Sequence, residues 1–186
     1  SELPPRAQMS SDLLTQRVEA FEKILNDLIE ISRYQSGSVE VNLEELSVRQ
    51  LVETMASRKG IDLRLVEVED ATVVVDVRRF QQIFENIHKN AELYAGGLDA
   101  IRGVRNESEY ELHFDDSGIG VTIDERDKIF EPFLRGEHHA AVPGSGLGLT
   151  ITLEHAHSMG GELVASASPT GGARFTLSLG VAETQL

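Results

Sequence analysis

At 186 residues the chain is long enough to bury one sizeable core and still carry an appended helix. Its 31 acidic residues against 17 Lys and Arg give a formal charge of -14, which argues against duplex nucleic acid or an anionic membrane surface as partner. The chain has no cysteine, which excludes disulfides and thiolate metal sites, and no apolar run approaches the roughly 18 residues that cross a bilayer.

In chain order, Leu14, Val18, Phe21, Leu25 and Leu28 step by four and three, the seam of a long amphipathic helix suited to pairing with another helix. Gln35-Ser36-Gly37-Ser38 reads as the linker that follows. Residues 39–43 alternate as a short strand. Ser47-Val48-Arg49-Gln50 has capping-box form and opens a helix to about Arg58. Residues 62–68 and 72–75 read as strands turning at Glu69-Asp70. Asp76 caps a helix over 77–94, whose Phe80, Ile83, Phe84, Ile87 and Ala91 form a buried stripe. Residues 98–104 pair with 109–114. A helix covers 149–156, and residues 163–167 and 173–179 form a last hairpin about Pro169-Thr170-Gly171-Gly172. The tail after Gly180 is expected to fray. These elements predict a two-layer α/β sandwich with a mixed sheet backed by helices, preceded by the long helix.

The motifs that carry chemistry lie between these elements. Asp116-Ser117-Gly118-Ile119-Gly120 and Gly144-Ser145-Gly146-Leu147-Gly148-Leu149 are glycine-rich turns. Without Cβ atoms their backbone can approach a ligand closely. The second turn runs into a helix, whose first N–H groups suit phosphates. Asp116 is acceptor-only, the right group for an adenine amino. On the preceding helix Asn86 and Asn90 share one angular position beside the apolar stripe, with Leu93 just beyond. An Asn carbonyl oxygen is a hard ligand suited to Mg²⁺. Phe130 and Phe133 frame a hinge before Gly136, as a nucleotide lid would. There is no G-x-x-x-x-G-K-[ST], no complete G-x-G-x-x-G, and no H-R-D or D-F-G signature.

Asn86-x-x-x-Asn90, Asp116-x-Gly118-x-Gly120, Phe130-x-x-Phe133 and Gly144-x-Gly146-x-Gly148 resemble, in order and spacing, the N, G1, F and G2 boxes of sensor histidine kinases. The resemblance implies the ATP-binding fold shared with gyrase and MutL. Residues 26–34 look like the end of the second helix of the family's dimerisation and phosphoacceptor hairpin. The resemblance thus divides the chain into 1–36, part of that hairpin; 37–181, an ATP-binding catalytic domain; and a tail, 182–186. It implies that adenine is held by Asp116 and Tyr94. Ribose and phosphates would be held by Gly118, Gly120, Gly144, Gly146, Leu147, Gly148 and Leu149, with Phe133 and Arg135 on the lid. Asn90 would hold Mg²⁺, with Asn86 beside it.

None of the six histidines, His88, His113, His138, His139, His155 and His157, has the family's phosphoacceptor context. They read as exposed or core-edge side chains. The acceptor is therefore expected on a first hairpin helix missing from this chain, with Glu2-Leu3-Pro4-Pro5 at the hairpin tip. A response-regulator aspartate would receive the phosphoryl next. A native homodimer, impaired here, and a cytoplasmic position below a membrane-anchored parent are also implied. Three positions depart from the family pattern: Leu93 replaces a cation, for which Lys89, Arg135 or another lid residue would substitute, while Ala173 replaces a Thr and Met159 a His. A module that binds nucleotide without transfer, an anti-sigma-factor-type serine kinase and a gyrase- or MutL-like ATPase stay open as alternatives.

Overall fold

Ser47 and Asp76 each end a strand and begin a helix in a single step. The Ser47 hydroxyl accepts from the Gln50 N–H at 3.2 Å, and Asp76 Oδ1 accepts from the Arg78 and Arg79 N–H groups at 3.0 and 3.2 Å. Such caps satisfy donors that the first helical turn leaves open. The computed structural model describes residues 5–134 and 145–182. Its order is α1 (Pro5–Gln35), β1 (Glu44–Ser47), α2 (Val48–Arg58), β2 (Val66–Val68), β3 (Thr72–Val75), α3 (Val77–Ala95), β4 (Ala100–Arg105), β5 (Glu109–Asp115), α4 (Gly148–Ser158), β6 (Glu162–Ala167) and β7 (Ala173–Gly180).

Five strands form one sheet in the order β2-β4-β5-β7-β6, parallel between β2 and β4 and antiparallel elsewhere. β1 and β3 make a separate antiparallel pair. Alternation decides which side of the large sheet meets the helices. Phe114 stands opposite Phe175, and Phe175 opposite Ala165; Leu112, Leu177 and Leu163 form the next row. All six are buried with Phe80, Ile83, Phe84 and Ile87 of α3. The Phe84 and Phe114 rings meet edge to face at 5.6 Å. Truncating a buried ring of this kind costs roughly 3–5 kcal/mol.

Four expectations need correction. Residues 39–43 are not a strand; β1 starts at Glu44, where pairing with Val75 begins. Residues 63–65 form a 3₁₀ turn, started by Asp62 accepting from the Arg64 N–H. β2 and β3 are not partners across Glu69-Asp70, because β2 joins β4 and β3 joins β1. Val181 and Ala182 are not frayed: Val181 bridges Val73, and the Ala182 N–H donates to the Thr72 carbonyl at 2.9 Å.

The two halves of α1 differ. Its later half lies on the domain, with Ile31 packed between Leu147 and Ile151 of the α4 region. Its earlier half leaves Leu14, Val18 and Phe21 at least 55% exposed, and Leu25 and Leu28 are also exposed. Among the described residues no helix is long and apolar enough to cross a membrane.

Candidate functional site

A cleft opens where α3, the turn after β5 and the start of α4 converge. Asn86, Lys89, Asn90, Leu93 and Tyr94 line it from α3. Asp116, Gly118 and Gly120 line it from the first glycine turn, and Ser145, Gly146, Gly148 and Leu149 from the second. Ala173 and Phe175 of β7 close its inner end.

Asp116 is 7% exposed, and its two oxygens have different duties. Oδ1 accepts from the Gly118 and Ala173 N–H groups at 2.9 and 3.0 Å. Oδ2 accepts no hydrogen bond among the described residues, and the residue lines the cleft. The carboxylate is thus fixed in orientation with one acceptor left for a ligand donor. Two glycines make the fixing possible. A Cβ on Gly118 would stand 2.9 Å from the Tyr94 carbonyl oxygen, and one on Gly172 would stand 2.2 Å from that of Asp116. Both distances are below van der Waals contact, so any side chain would push the turns apart.

Asn86 is committed to the protein at one end. Its Nδ2 donates to the Gly148 carbonyl at 3.3 Å and to Thr152 Oγ1 at 3.1 Å, tying α3 to the first turn of α4. Asn90, also half-buried, makes no side-chain hydrogen bond among the described residues. Its amide is available to the cleft. The Leu147 N–H at the start of α4 donates to Ser145 Oγ at 3.3 Å, while the N–H groups of Gly148 and Leu149, which line the cleft, have no partner among the described residues. This is the arrangement in which a helix start receives an anion.

Not every residue expected at the site lies on it. The Leu147 side chain is fully buried beneath the turn against Ile31 and Ile151, so only its backbone belongs to the site. Phe133 is 60% exposed and is not part of the cleft wall. It has φ +63° and donates its N–H to the Gly146 carbonyl at 3.1 Å, which steadies the second turn. Phe130 is a core ring, edge to face with Phe175 at 6.5 Å. Arg135, Gly136, His138, His139 and Gly144 lie outside the described residues.

Sequence reasoning missed two features. Lys23 of α1 lines the same cleft, and the Ser145 hydroxyl donates to Asp27 of α1 at 3.3 Å. Neither carries a local signal, because both depend on how α1 lies against α4. His155, expected at the surface or core edge, is fully buried where α1, α3 and α4 meet.

Residues 75–183 match the family model described as histidine kinase-, DNA gyrase B-, and HSP90-like ATPase. Sensor histidine kinase MtrB of Mycobacterium leprae is 32% identical over 190 residues, covering 96% of this chain and 34% of its own. The signal transduction histidine-protein kinase BaeS of Escherichia coli is 33% identical over 178 residues, covering 89% of this chain and 38% of its own. The chain therefore spans about a third of the length of these curated relatives. Full-length ShkA in complex with AMPPNP superposes over 100% of this chain and 42% of its own, with a TM-score of 0.79 at 22% identity. The Acinetobacter baumannii histidine kinase AdeS covers 98% of this chain and 88% of its own, with a TM-score of 0.74 at 21% identity. These two structures share its fold.

Proposed function

The chain belongs to the histidine kinase-, DNA gyrase B-, and HSP90-like ATPase family, and from that premise we propose that it binds MgATP and is the catalytic portion of a protein-histidine kinase. The observation that carries this reading is Asp116. A buried carboxylate with one oxygen held by two backbone donors and the other facing a cleft is suited to an adenine amino group. Tyr94, the glycine turns, Asn90 and the start of α4 line the same cleft. Adenine at Asp116 would therefore put the phosphates at the helix start.

Asn90 fits a magnesium site, because its carbonyl oxygen is a hard donor on the cleft wall with no partner among the described residues. Magnesium held there would neutralise phosphate charge. The chain's own part is to orient and to shield. Asn86 fixes the α4 start against α3, and the glycine turns bring backbone donors to the phosphates. An imidazole nitrogen on another helix would attack the γ-phosphorus as its bond to the β-γ bridging oxygen breaks, leaving ADP. A response-regulator aspartate would take the phosphoryl in turn. The exposed Leu14–Leu28 seam supports pairing with the helix that carries the acceptor, within a homodimer. We place these residues on the cytoplasmic side of a membrane-anchored parent, by analogy with the sensor kinases to which the chain is similar.

Water-activating ATPase chemistry is disfavoured by Glu85, the acid next to Asn86. It is paired with Lys59 at 3.0 Å and Gln81 at 3.1 Å, and it is not on the nucleotide cleft wall.

Incubation with γ-labelled ATP tests the assignment. The chain alone should acquire no acid-labile label, since none of its histidines has a phosphoacceptor context. A dimeric histidine-bearing bundle from the parent kinase should become labelled in trans. Label on the chain alone would put the acceptor among its six histidines and overturn the trans reading. Nucleotide binding with no label on either component would leave a binding module without transfer.

A further inference from the structure

Lys23 lies on α1, outside the ATP-binding unit, yet it shares a cleft wall with Asn90, Gly146 and Asp116. Lys89 faces the same space from α3. Lys23 is the foremost reason that Lys89 is held below the usual lysine range, ahead of burial. Like charges in contact repel, and an anion between them removes the penalty. Asp27, one turn along α1, is the nearby carboxylate that interacts with both, and it already accepts from Ser145. Burial pushes the Asp27 carboxyl up while Lys23, Ser145 and Lys89 pull it down, so its charge is poorly placed to neutralise two lysines.

Several cations elsewhere are matched with carboxylates. Lys59 pairs with Glu85 at 3.0 Å, and Arg102 and Arg174 share Asp115 at 2.8 and 2.7 Å. Lys23 and Lys89 instead line the cleft without a carboxylate salt bridge among the described residues, although the chain carries a formal charge of -14. The same cleft is lined by Gly148 and Leu149 at the start of α4, which has no side-chain cap among the described residues.

We propose that Lys23 and Lys89 form a two-cation clamp for the terminal phosphates of a nucleoside triphosphate, with α1 supplying one jaw. The clamp rests on the nucleotide reading above and adds a consequence to it. Bound triphosphate fastens the later half of α1 more firmly to the catalytic unit on which it already lies, whereas adenosine does not. The hold on the helix then differs with the nucleotide present.

Calorimetry with magnesium tests the clamp, using a non-hydrolysable ATP analogue and adenosine as probes. Lys23→Met and Lys89→Met should each weaken the triphosphate analogue roughly tenfold, the order expected for one charge-assisted contact. Adenosine affinity should not change. Acetic anhydride labelling of the wild-type chain gives a second readout that needs no variant. The analogue should protect Lys23 from acetylation and adenosine should not. Unchanged analogue affinity in Lys23→Met, or equal labelling of Lys23 with and without analogue, would overturn the clamp while leaving the nucleotide site intact. Equal losses for analogue and adenosine would show a structural role for Lys23 and also overturn it. Wild type that binds neither probe would remove the nucleotide reading and the clamp together.

Discussion

Asp116→Asn should lower ATP affinity roughly 100-fold or more with little change in thermal stability. The side chain keeps its shape, and its remaining oxygen still accepts from the Gly118 and Ala173 N–H groups. What changes is the atom facing the cleft. An amide nitrogen replaces Oδ2, so a donor meets the adenine amino donor. Loss of a hydrogen bond to a charged acceptor costs roughly 1.5–3 kcal/mol, and leaving donor against donor adds a desolvation penalty of similar size. The variant should also invert base preference. Inosine triphosphate presents an oxygen where ATP presents the amino group, and it should lose far less affinity than ATP. Calorimetry with both nucleotides decides the matter, with a thermal midpoint as the folding control. Equal ATP affinity in wild type and variant would take adenine recognition away from Asp116.

Asp115, its neighbour, shows how far the duty of a carboxylate depends on which side of the sheet it faces. Asp115 is fully buried, yet it ends in salt bridges to Arg174 and Arg102 rather than in the cleft. Burial alone would raise its carboxyl, but Arg174 and Arg102 together hold it below the usual range. Strand β5 ends between the two residues, and alternation along it sends them to different surroundings. Sequence could single out Asp116 because it heads the Gly118–Gly120 turn. It offered nothing on Asp115, whose partners lie on β4 and β7.

The same distinction separates what was legible from what was not. α3 was readable because its cap, its apolar stripe and its two asparagines all repeat at helical spacing within one segment. The hairpin of β6 and β7 was readable from alternation about Gly171-Gly172. Residues 62–68 misled because apolar residues in a 3₁₀ turn followed by a three-residue strand look like one longer strand. The partnering of β2 with β4 depends on contacts across the sheet that no local pattern encodes. Within the site, Asn90, Asp116 and the glycines could be seen because each sits in a motif with fixed spacing. Lys23, Asp27 and the burial of His155 could not, since all three follow from where α1 comes to rest.

That resting place should be sensitive to acid. His155 on α4 is fully buried, and the hydroxyl of Tyr34 on α1 reaches its Nδ1. Arg79 of α3 donates to the same hydroxyl and approaches Nδ1 at 3.4 Å. With donors converging on Nδ1, that nitrogen must accept, which puts the single proton of a neutral ring on Nε2, 3.5 Å from Glu30 of α1. Burial first, and the Arg79 charge second, lower the imidazole to a pKa of about 4, with Asp76 opposing them. An unfolded histidine titrates near 6.5. Between these values the unfolded chain takes up a proton that the folded one refuses, so stability falls as pH falls through that window. The His155 contribution should be intact at pH 7.5, reduced by about 2 kcal/mol at pH 5, and fully lost below pH 4. Glu30 acts in the opposite sense, because burial, then Asp27, raise its carboxyl against the pull of Arg79 and Arg33. Comparison with His155→Gln isolates the histidine, since glutamine offers Tyr34 an acceptor without a titrating group. Urea unfolding at the two pH values should show wild type losing more stability than His155→Gln by that amount. Parallel losses in the two proteins would mean that His155 takes up its proton in the folded state near the ordinary pH, and that burial and Arg79 do not hold it neutral.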